Sequence, residues 1–267
     1  MQRQPQAELG VFGGSGFTAL LEDADEVEVD TPYGKPSAPL VVGELAGRRV
    51  AFLPRHGRGH ELPPHRIPYR ANVWAMRELG VRRLIAPCAS GALRADLRLG
   101  EFVVCDQFVD RTWGRPDTFY DGPETTHVSA ADPYCPDLRR LLVETARELG
   151  IPVRDGGTVV VVQGPRFSTR AESRWFQDAG WDVINMTAYP EGNLARELEL
   201  CYANVSMVTD HDAGVSGAES VSGDEVIRVF HDNLARLREL LLAVIPRIRP
   251  PGEHLCTTAL RGARITP

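Results

Sequence analysis

The chain has 267 residues, 43% of them hydrophobic and 25% charged, and a formal net charge of −6. That is ordinary globular composition, and the length suits one large α/β domain or two small ones. The acidic balance disfavours a groove for nucleic acid, while a small anionic substrate can still be held at a local positive site.

Met1 to Gly10 is polar and lacks a signal-peptide core, and no apolar run is long enough to span a bilayer. Leu9 to Gly13 reads as a short apolar strand running into Gly14-Ser15-Gly16, a turn able to offer backbone N–H groups and a hydroxyl to an anion. It matches neither GxxxxGK[ST] nor GxGxxG, which argues against nucleoside triphosphates and dinucleotides. Pro39 to Glu44 and Arg49 to Leu53 form a hairpin about Ala46-Gly47. Arg55-His56-Gly57 follows it: an arginine at a strand end can clamp phosphate with two donors, and the histidine can donate to the same anion. His56, His60 and His65 do not make a zinc site, because Gly57, Gly59, Pro63 and Pro64 forbid a shared helical face and no HExxH pattern or cysteine partner is present.

Tyr69 to Leu79 is helical by its apolar spacing, and Arg83 to Ala86 is a buried strand. The small residues of Pro87-Cys88-Ala89-Ser90-Gly91 then allow close approach to a ligand, with Cys88 a buried structural thiol rather than a nucleophile. Phe102 to Cys105 is a strand and Pro136 to Leu149 an amphipathic helix. Gly157 to Val162 is β, Ala171 to Ala179 helical, and Trp181 to Ile184 a strand ending at Asn185-Met186-Thr187, a polar pair around an apolar residue that suits a sugar. Leu194 to Leu198 is helical. The very apolar strand Leu200 to Val208 leads to Thr209-Asp210-His211-Asp212, where two carboxyls in a poorly solvated place can share one proton near neutral pH. Asp224 to Ile248 is a long closing helix, and Pro250-Pro251-Gly252 begins a tail of uncertain order.

Alternating strands and helices predict an α/β fold, a mixed central sheet flanked by helices, in one domain over residues 1–249 with a tail at 250–267. Ligands gather at strand ends in such sheets. Cys88, Cys105, Cys135, Cys201 and Cys256 are scattered, odd in number and free of CxxC pairs, which predicts reduced thiols in the cytoplasm.

Taken together, the loops Gly13-Gly14-Ser15-Gly16, Arg55-His56-Gly57, Gln163 to Ser173, Asn185-Met186-Thr187 and Thr209 to Asp212 resemble the methylthioadenosine phosphorylase branch of the trimeric purine nucleoside phosphorylases. Asp106 to Thr112 and Phe119 to Gly122 extend the likeness, which runs in order from about Leu9 to Ile245. The resemblance implies a nucleoside phosphorylase-like fold and a homotrimer. It places Ser15, Arg55, His56, Cys88, Ala89 and Thr187 at phosphate, and Phe167, Ser168, Asp210 and Asp212 at the purine. Met186 falls at the ribose, and His127, Val221, Gly223, Val226 and Ile227 at the 5′ substituent, the histidine reaching in from a neighbouring subunit. Cys88 stands where many relatives carry threonine, and Gly223 where some carry valine.

The implied reaction is phosphorolysis of an adenine nucleoside such as 5′-methylthioadenosine, a transfer of the pentosyl group in purine salvage. Inorganic phosphate is the co-substrate, and no metal or other cofactor, nucleic acid or membrane is expected. Asp210 and Asp212 are the expected catalytic pair. A 6-oxopurine nucleoside phosphorylase and a 5′-halo-5′-deoxyadenosine phosphorylase are the alternatives on the same scaffold, and a non-catalytic nucleoside sensor is a third.

Overall fold

Residues 6–13, 21–215 and 221–265 are described in the computed structural model. The strands are β1 (Leu9–Phe12), β2 (Glu22–Val27), β3 (Leu40–Leu45), β4 (Arg48–Leu53), β5 (Arg83–Ala92), β6 (Phe102–Val104), β7 (Gln107–Arg111), β8 (Val153–Asp155), β9 (Thr158–Val162), β10 (Val183–Asn185) and β11 (Cys201–His211). The helices are α1 (Tyr69–Glu78), α2 (Pro136–Glu148), α3 (Arg170–Asp178), α4 (Ala188–Glu197) and α5 (Gly223–Val244). All eleven strands join one mixed sheet in the order β2-β3-β4-β1-β5-β10-β9-β7, with β11 on β5, β6 on β11 and β8 on β6.

The alternation of side chains along each strand fills a core on both faces. Phe12, Leu84, Ala86, Tyr202 and Val208 point to the face that packs on α1 and α4, with Val73, Met76, Leu194 and Ala195. Leu9, Val11, Ile85, Cys201, Ala203, Val205 and Met207 point to the other, against Leu138 and Leu142 of α2 and Leu237, Leu240 and Leu241 of α5. A smaller cluster of Leu93, Val160, Phe176 and Ile184 seats α3. The α3 start is fixed by a capping box, in which Thr169 and Glu172 satisfy each other's backbone N–H groups. This is the expected α/β architecture, with one mixed sheet covered by helices. No helix among the described residues is long and apolar enough to cross a membrane.

β5 organises the site. Its first half pairs in parallel with β1 as far as Ile85, and its last residues pair antiparallel with β10 from Gly91. β11 lies along its other edge throughout. Between Ile85 and Gly91, where β1 has left and β10 has not arrived, one edge of β5 has no strand partner among the described residues. This is the kind of divergence at which open sheets bind ligands.

Several elements differ from the sequence reading. β5 runs on through Pro87-Cys88-Ala89-Ser90-Gly91, and β11 through Thr209, Asp210 and His211, so both expected loops are strand. α4 begins at Ala188 rather than Leu194, and β2, β7 and β8 were not expected. The C-terminal segment is laid on the body: Cys256 is buried, Arg196 donates to the Leu255 carbonyl at 2.7 Å, and the Ile265 amide donates to Thr125 at 3.0 Å.

Candidate active site

The hairpin β3–β4 delivers Arg55 under the open edge of β5. The guanidinium is buried, and its Nη1 donates to the Pro87 carbonyl at 2.7 Å. Nε and Nη2 donate to the two carboxylate oxygens of Glu191 at 2.7 and 3.0 Å. Glu191 is fully buried in α4 and also accepts from the Tyr202 hydroxyl at 3.0 Å. Burial works against the Arg55 charge, but Glu191 outweighs it and holds the guanidinium protonated. The two-pronged contact expected for phosphate is therefore made to Glu191. Of the five N–H groups of an arginine, one on Nη1 and one on Nη2 remain for a ligand.

His56 is oriented by its own loop. Its Nδ1 lies 2.9 Å from the Leu62 carbonyl, which can only accept, so Nδ1 carries the proton. Burial pushes its pKa down to about 4, so near neutrality Nε2 is an acceptor. This reverses the donor role the sequence suggested.

Cys88 lies on β5 with its Sγ 3.3 Å from Thr187 Oγ1 and 3.3 Å from Asn204 Nδ2. Burial pushes the thiol pKa up despite nearby Arg55, so it stays protonated and is a poor nucleophile. Thr187 precedes α4, and the Asn185 side chain accepts from the Thr187 and Ala188 amides at 3.3 and 3.2 Å. The Ser90 hydroxyl and the Asn185 side-chain amide nitrogen are buried without a hydrogen-bond partner among the described residues.

The two aspartates are re-aimed by an irregularity in β11. The register with β5 shifts between Val208 and Asp210, so that Asp210 lies opposite Gly91. A methyl group at Gly91 would come within 2.9 Å of Asp210 Oδ2 and 3.1 Å of Ile184 Cγ2. Glycine at 91 thus lets the carboxylate pass over β5 toward the end of β10. The Thr209 hydroxyl donates to Asp210 Oδ1 at 2.8 Å. Asp212 is buried, with Oδ2 lacking a hydrogen-bond partner among the described residues. Burial raises its pKa, against the stabilising effect of Ser173 and the Ala213 amide.

The fold thus brings Arg55, Cys88 and Thr187 together, and sets Asp210 beside Ile184, two residues before Met186. Phe167 and Ser168 lie between β9 and α3, Phe167 half-exposed and the Ser168 hydroxyl buried. Ser15 lies outside the described residues. Gly223 opens α5, with Val226 and Ile227 following near its start. His127 is exposed, and its amide donates to the Ala263 carbonyl at 2.9 Å.

Sequence reasoning missed Glu191 and Arg115. Nothing in the spacing could tie Glu191 to Arg55, 136 residues away. Buried Arg115 donates to the carbonyls of Met186 (3.0 Å), Tyr189 (2.7 Å) and Gln163 (2.8 Å), joining the end of β9 to the start of α4. Its position four residues beyond Arg111, in the stretch before Phe119, gave no sign of burial.

Comparison with known proteins places these features in context. The family model described as the phosphorylase superfamily matches residues 8–246. The chain is 54% identical to a purine nucleoside phosphorylase of Streptomyces coelicolor, over 96% of this chain and 94% of that one. It is 52% identical to an S-methyl-5′-thioadenosine phosphorylase of Pyrococcus abyssi, over 94% and 96%. The crystal structure of a methylthioadenosine phosphorylase from an antarctic soil metagenomic library superposes with a TM-score of 0.93 at 38% identity, covering 99% of this chain and 94% of that one.

Proposed function

The chain belongs to the phosphorylase superfamily, and from that premise we propose that it splits 5′-methylthioadenosine with inorganic phosphate, releasing adenine and the 5-substituted ribose 1-phosphate. The observation that carries this reading is the pair of buried carboxyls, Asp210 and Asp212, at the end of β11, with Gly91 clearing the way for Asp210. Adenine offers an acceptor at N7 and a donor at N6. Two carboxyls sharing one proton donate once and accept once. A 6-oxopurine would set O6 against an acceptor, a mismatch of about 1–3 kcal/mol in a buried site.

Phosphate would lie at the open edge of β5, held by the remaining N–H groups of Arg55, by Thr187, by the Cys88–Ala89 backbone and by Ser15. His56, with Nε2 bare, would accept the P–OH proton of the monohydrogen dianion. Phosphate attacks C1′ as the bond to N9 breaks, through a cationic, oxocarbenium-like sugar; the same kind of charge develops in glycoside hydrolysis. The dianion faces that charge, so no protein nucleophile is needed. Negative charge on the departing base is relieved by the proton of the aspartate pair, general acid help worth about 10²–10⁴-fold. Phe167 and Ser168 would complete the base site and Met186 the sugar face.

We further infer a homotrimer in which His127 of one subunit reaches the 5′ pocket of the next, against Val221, Gly223, Val226 and Ile227. The exposure of His127 and of Ile227 fits that arrangement. Five free thiols fit a reducing cytoplasmic setting. Phosphate is a co-substrate, and the chemistry requires no cofactor or metal.

Initial rates with methylthioadenosine, adenosine and inosine, with and without phosphate, test the reading. Methylthioadenosine should be cleaved best and only with phosphate. Asp210→Asn should lose adenine-nucleoside turnover by about 10²-fold or more, the loss of a general acid, while its relative activity on inosine rises because an amide N–H meets O6. A wild type that cleaves inosine as well as methylthioadenosine, with that ratio unchanged in Asp210→Asn, would establish the 6-oxopurine reading instead. The Streptomyces coelicolor relative, named only as a purine nucleoside phosphorylase, keeps that second reading in view.

A further inference from the structure

Three of the five free cysteines meet at the start of β11, the opposite end of that strand from Asp210. Cys135 precedes α2, Cys201 opens β11, and Cys256 arrives on the C-terminal segment with His254 two residues before it. Their three Sγ atoms and a ring nitrogen of His254 all lie within 4.8 Å of one another, and Cys201 Sγ is 3.4 Å from His254 Nε2. We propose that Cys135, Cys201, Cys256 and His254 form a tetrahedral zinc site that fastens the C-terminal segment to the body of the enzyme.

Three arguments support it. The first is geometric. Zinc with Zn–S distances of about 2.3 Å in a tetrahedron needs sulfurs roughly 3.8 Å apart, so the four ligand atoms need close by only about 1 Å. A disulfide would instead use two of the thiols and leave the third and the histidine without a task.

The second argument is charge. Arg83 is buried, and its Nη1 donates to Cys135 Sγ at 3.4 Å, whereas its nearest carboxylate, Asp137, stands 4.0 Å away on the surface side. A buried guanidinium needs a negative neighbour. Three thiolates on one divalent ion leave a net charge of −1, which Arg83 would neutralise while donating to a ligand sulfur. Such outer contacts orient metal ligands.

The third is rigidity around the ligands. Buried Arg196 holds the Leu255 carbonyl, between His254 and Cys256, at 2.7 Å. The Thr257 hydroxyl accepts from the His254 amide at 3.1 Å. His254 Nδ1 now accepts from the Cys256 amide at 3.3 Å, so Nε2 carries the ring proton. Zinc at Nε2 and the three sulfurs would release the three thiol protons to solvent and leave the imidazole neutral. The ring proton moves to Nδ1, the long amide contact opens, and nothing is oxidised or reduced.

The test uses the full-length enzyme purified without chelator. Elemental analysis should find about one zinc per chain. Chelation should release it, lower Tm and leave five titratable thiols in denaturant, with zinc restoring Tm. Reloading the stripped wild type with Co²⁺ should give the intense visible bands and thiolate charge-transfer absorption of a tetrahedral site. Cys256→Ser and His254→Ala should each lose the metal. Two results would overturn the proposal: fewer than five thiols in metal-free, unreduced enzyme, which marks a disulfide, or five thiols with neither zinc retention nor a tetrahedral cobalt spectrum. The cobalt spectrum is read on the wild type, so the outcome stands even if a variant fails to fold.

Discussion

At the residue scale, the Arg55–Glu191 pair changes what a substitution at Arg55 reports. Phosphate contact alone would make Arg55→Ala a kinetic variant with an intact fold. The pair is buried, however, and removing one partner strands the other charge, a loss of about 3–5 kcal/mol. Urea unfolding should show that loss in Arg55→Ala and most of it recovered in Arg55→Ala with Glu191→Gln, where the stranded carboxylate is gone. The phosphate KM should stay raised in the double variant; a normal value would remove Arg55 from the phosphate site. His56 makes a separate statement about pH. Its pKa falls from an ordinary 6.5 to about 4 on burial, so between those values the unfolded chain binds the extra proton. The stability present above pH 6.5 is lost as pH drops toward 4, by up to roughly 3 kcal/mol. In phosphate-free buffer, the pH dependence of unfolding should flatten over that window in His56→Gln. An unchanged slope would place the titration elsewhere.

At the scale of elements, strands with a plain apolar signature were legible and those held by their neighbours were not. β1, β4 and β9 carry enough Val, Leu and Phe to be read directly. β2, with the sequence EDADEV, is exposed and acidic, and is strand only because β3 pairs with it. The Pro-Cys-Ala-Ser-Gly stretch of β5 has the composition of a turn, yet pairing with β11 keeps it extended. Candidate residues could be named where one stretch of sequence carries them, as in Thr209 to Asp212, and were illegible where distant elements meet at one side chain, as in Arg55 with Glu191. Arg115 belongs to the second kind. It satisfies carbonyls at the end of β9 and the start of α4, and burial rather than any carboxylate dominates its environment. Arg115→Lys replaces a planar fork with a point donor and leaves several of these carbonyls unmet. The nucleoside KM should rise by about 10-fold or more, since a misplaced Met186 loop spoils orientation, with a smaller change in the phosphate KM. Equal changes in both constants would argue for general loosening instead of control of the sugar face.

At the scale of the whole molecule, the C-terminal segment connects the body of the chain to the loop that carries His127. The Ala263 carbonyl accepts from the His127 amide at 2.9 Å, the Ile265 amide donates to Thr125 at 3.0 Å, and Thr126 bridges Arg264. Further back, the Leu260 amide donates to Glu199 Oε1 at 3.1 Å, just before β11 begins. The segment is thus a strap, anchored beside β11 at one end and holding residues 125–127 at the other. If His127 serves a neighbouring subunit's 5′ pocket, the strap positions a side chain in an active site that its own chain does not contain. Ending the chain at Pro251 removes buried Cys256 and the His254 ligand, so Tm should fall, while α5, complete by Val244, stays in place. The phosphate KM should change little. Preference for methylthioadenosine over adenosine, measured as the ratio of kcat/KM values, should fall by about 10-fold, the scale on which a hydrophobic pocket discriminates small groups. The same truncation with unaltered preference, in an enzyme that still assembles, would detach the strap from substrate choice and leave it a purely structural element.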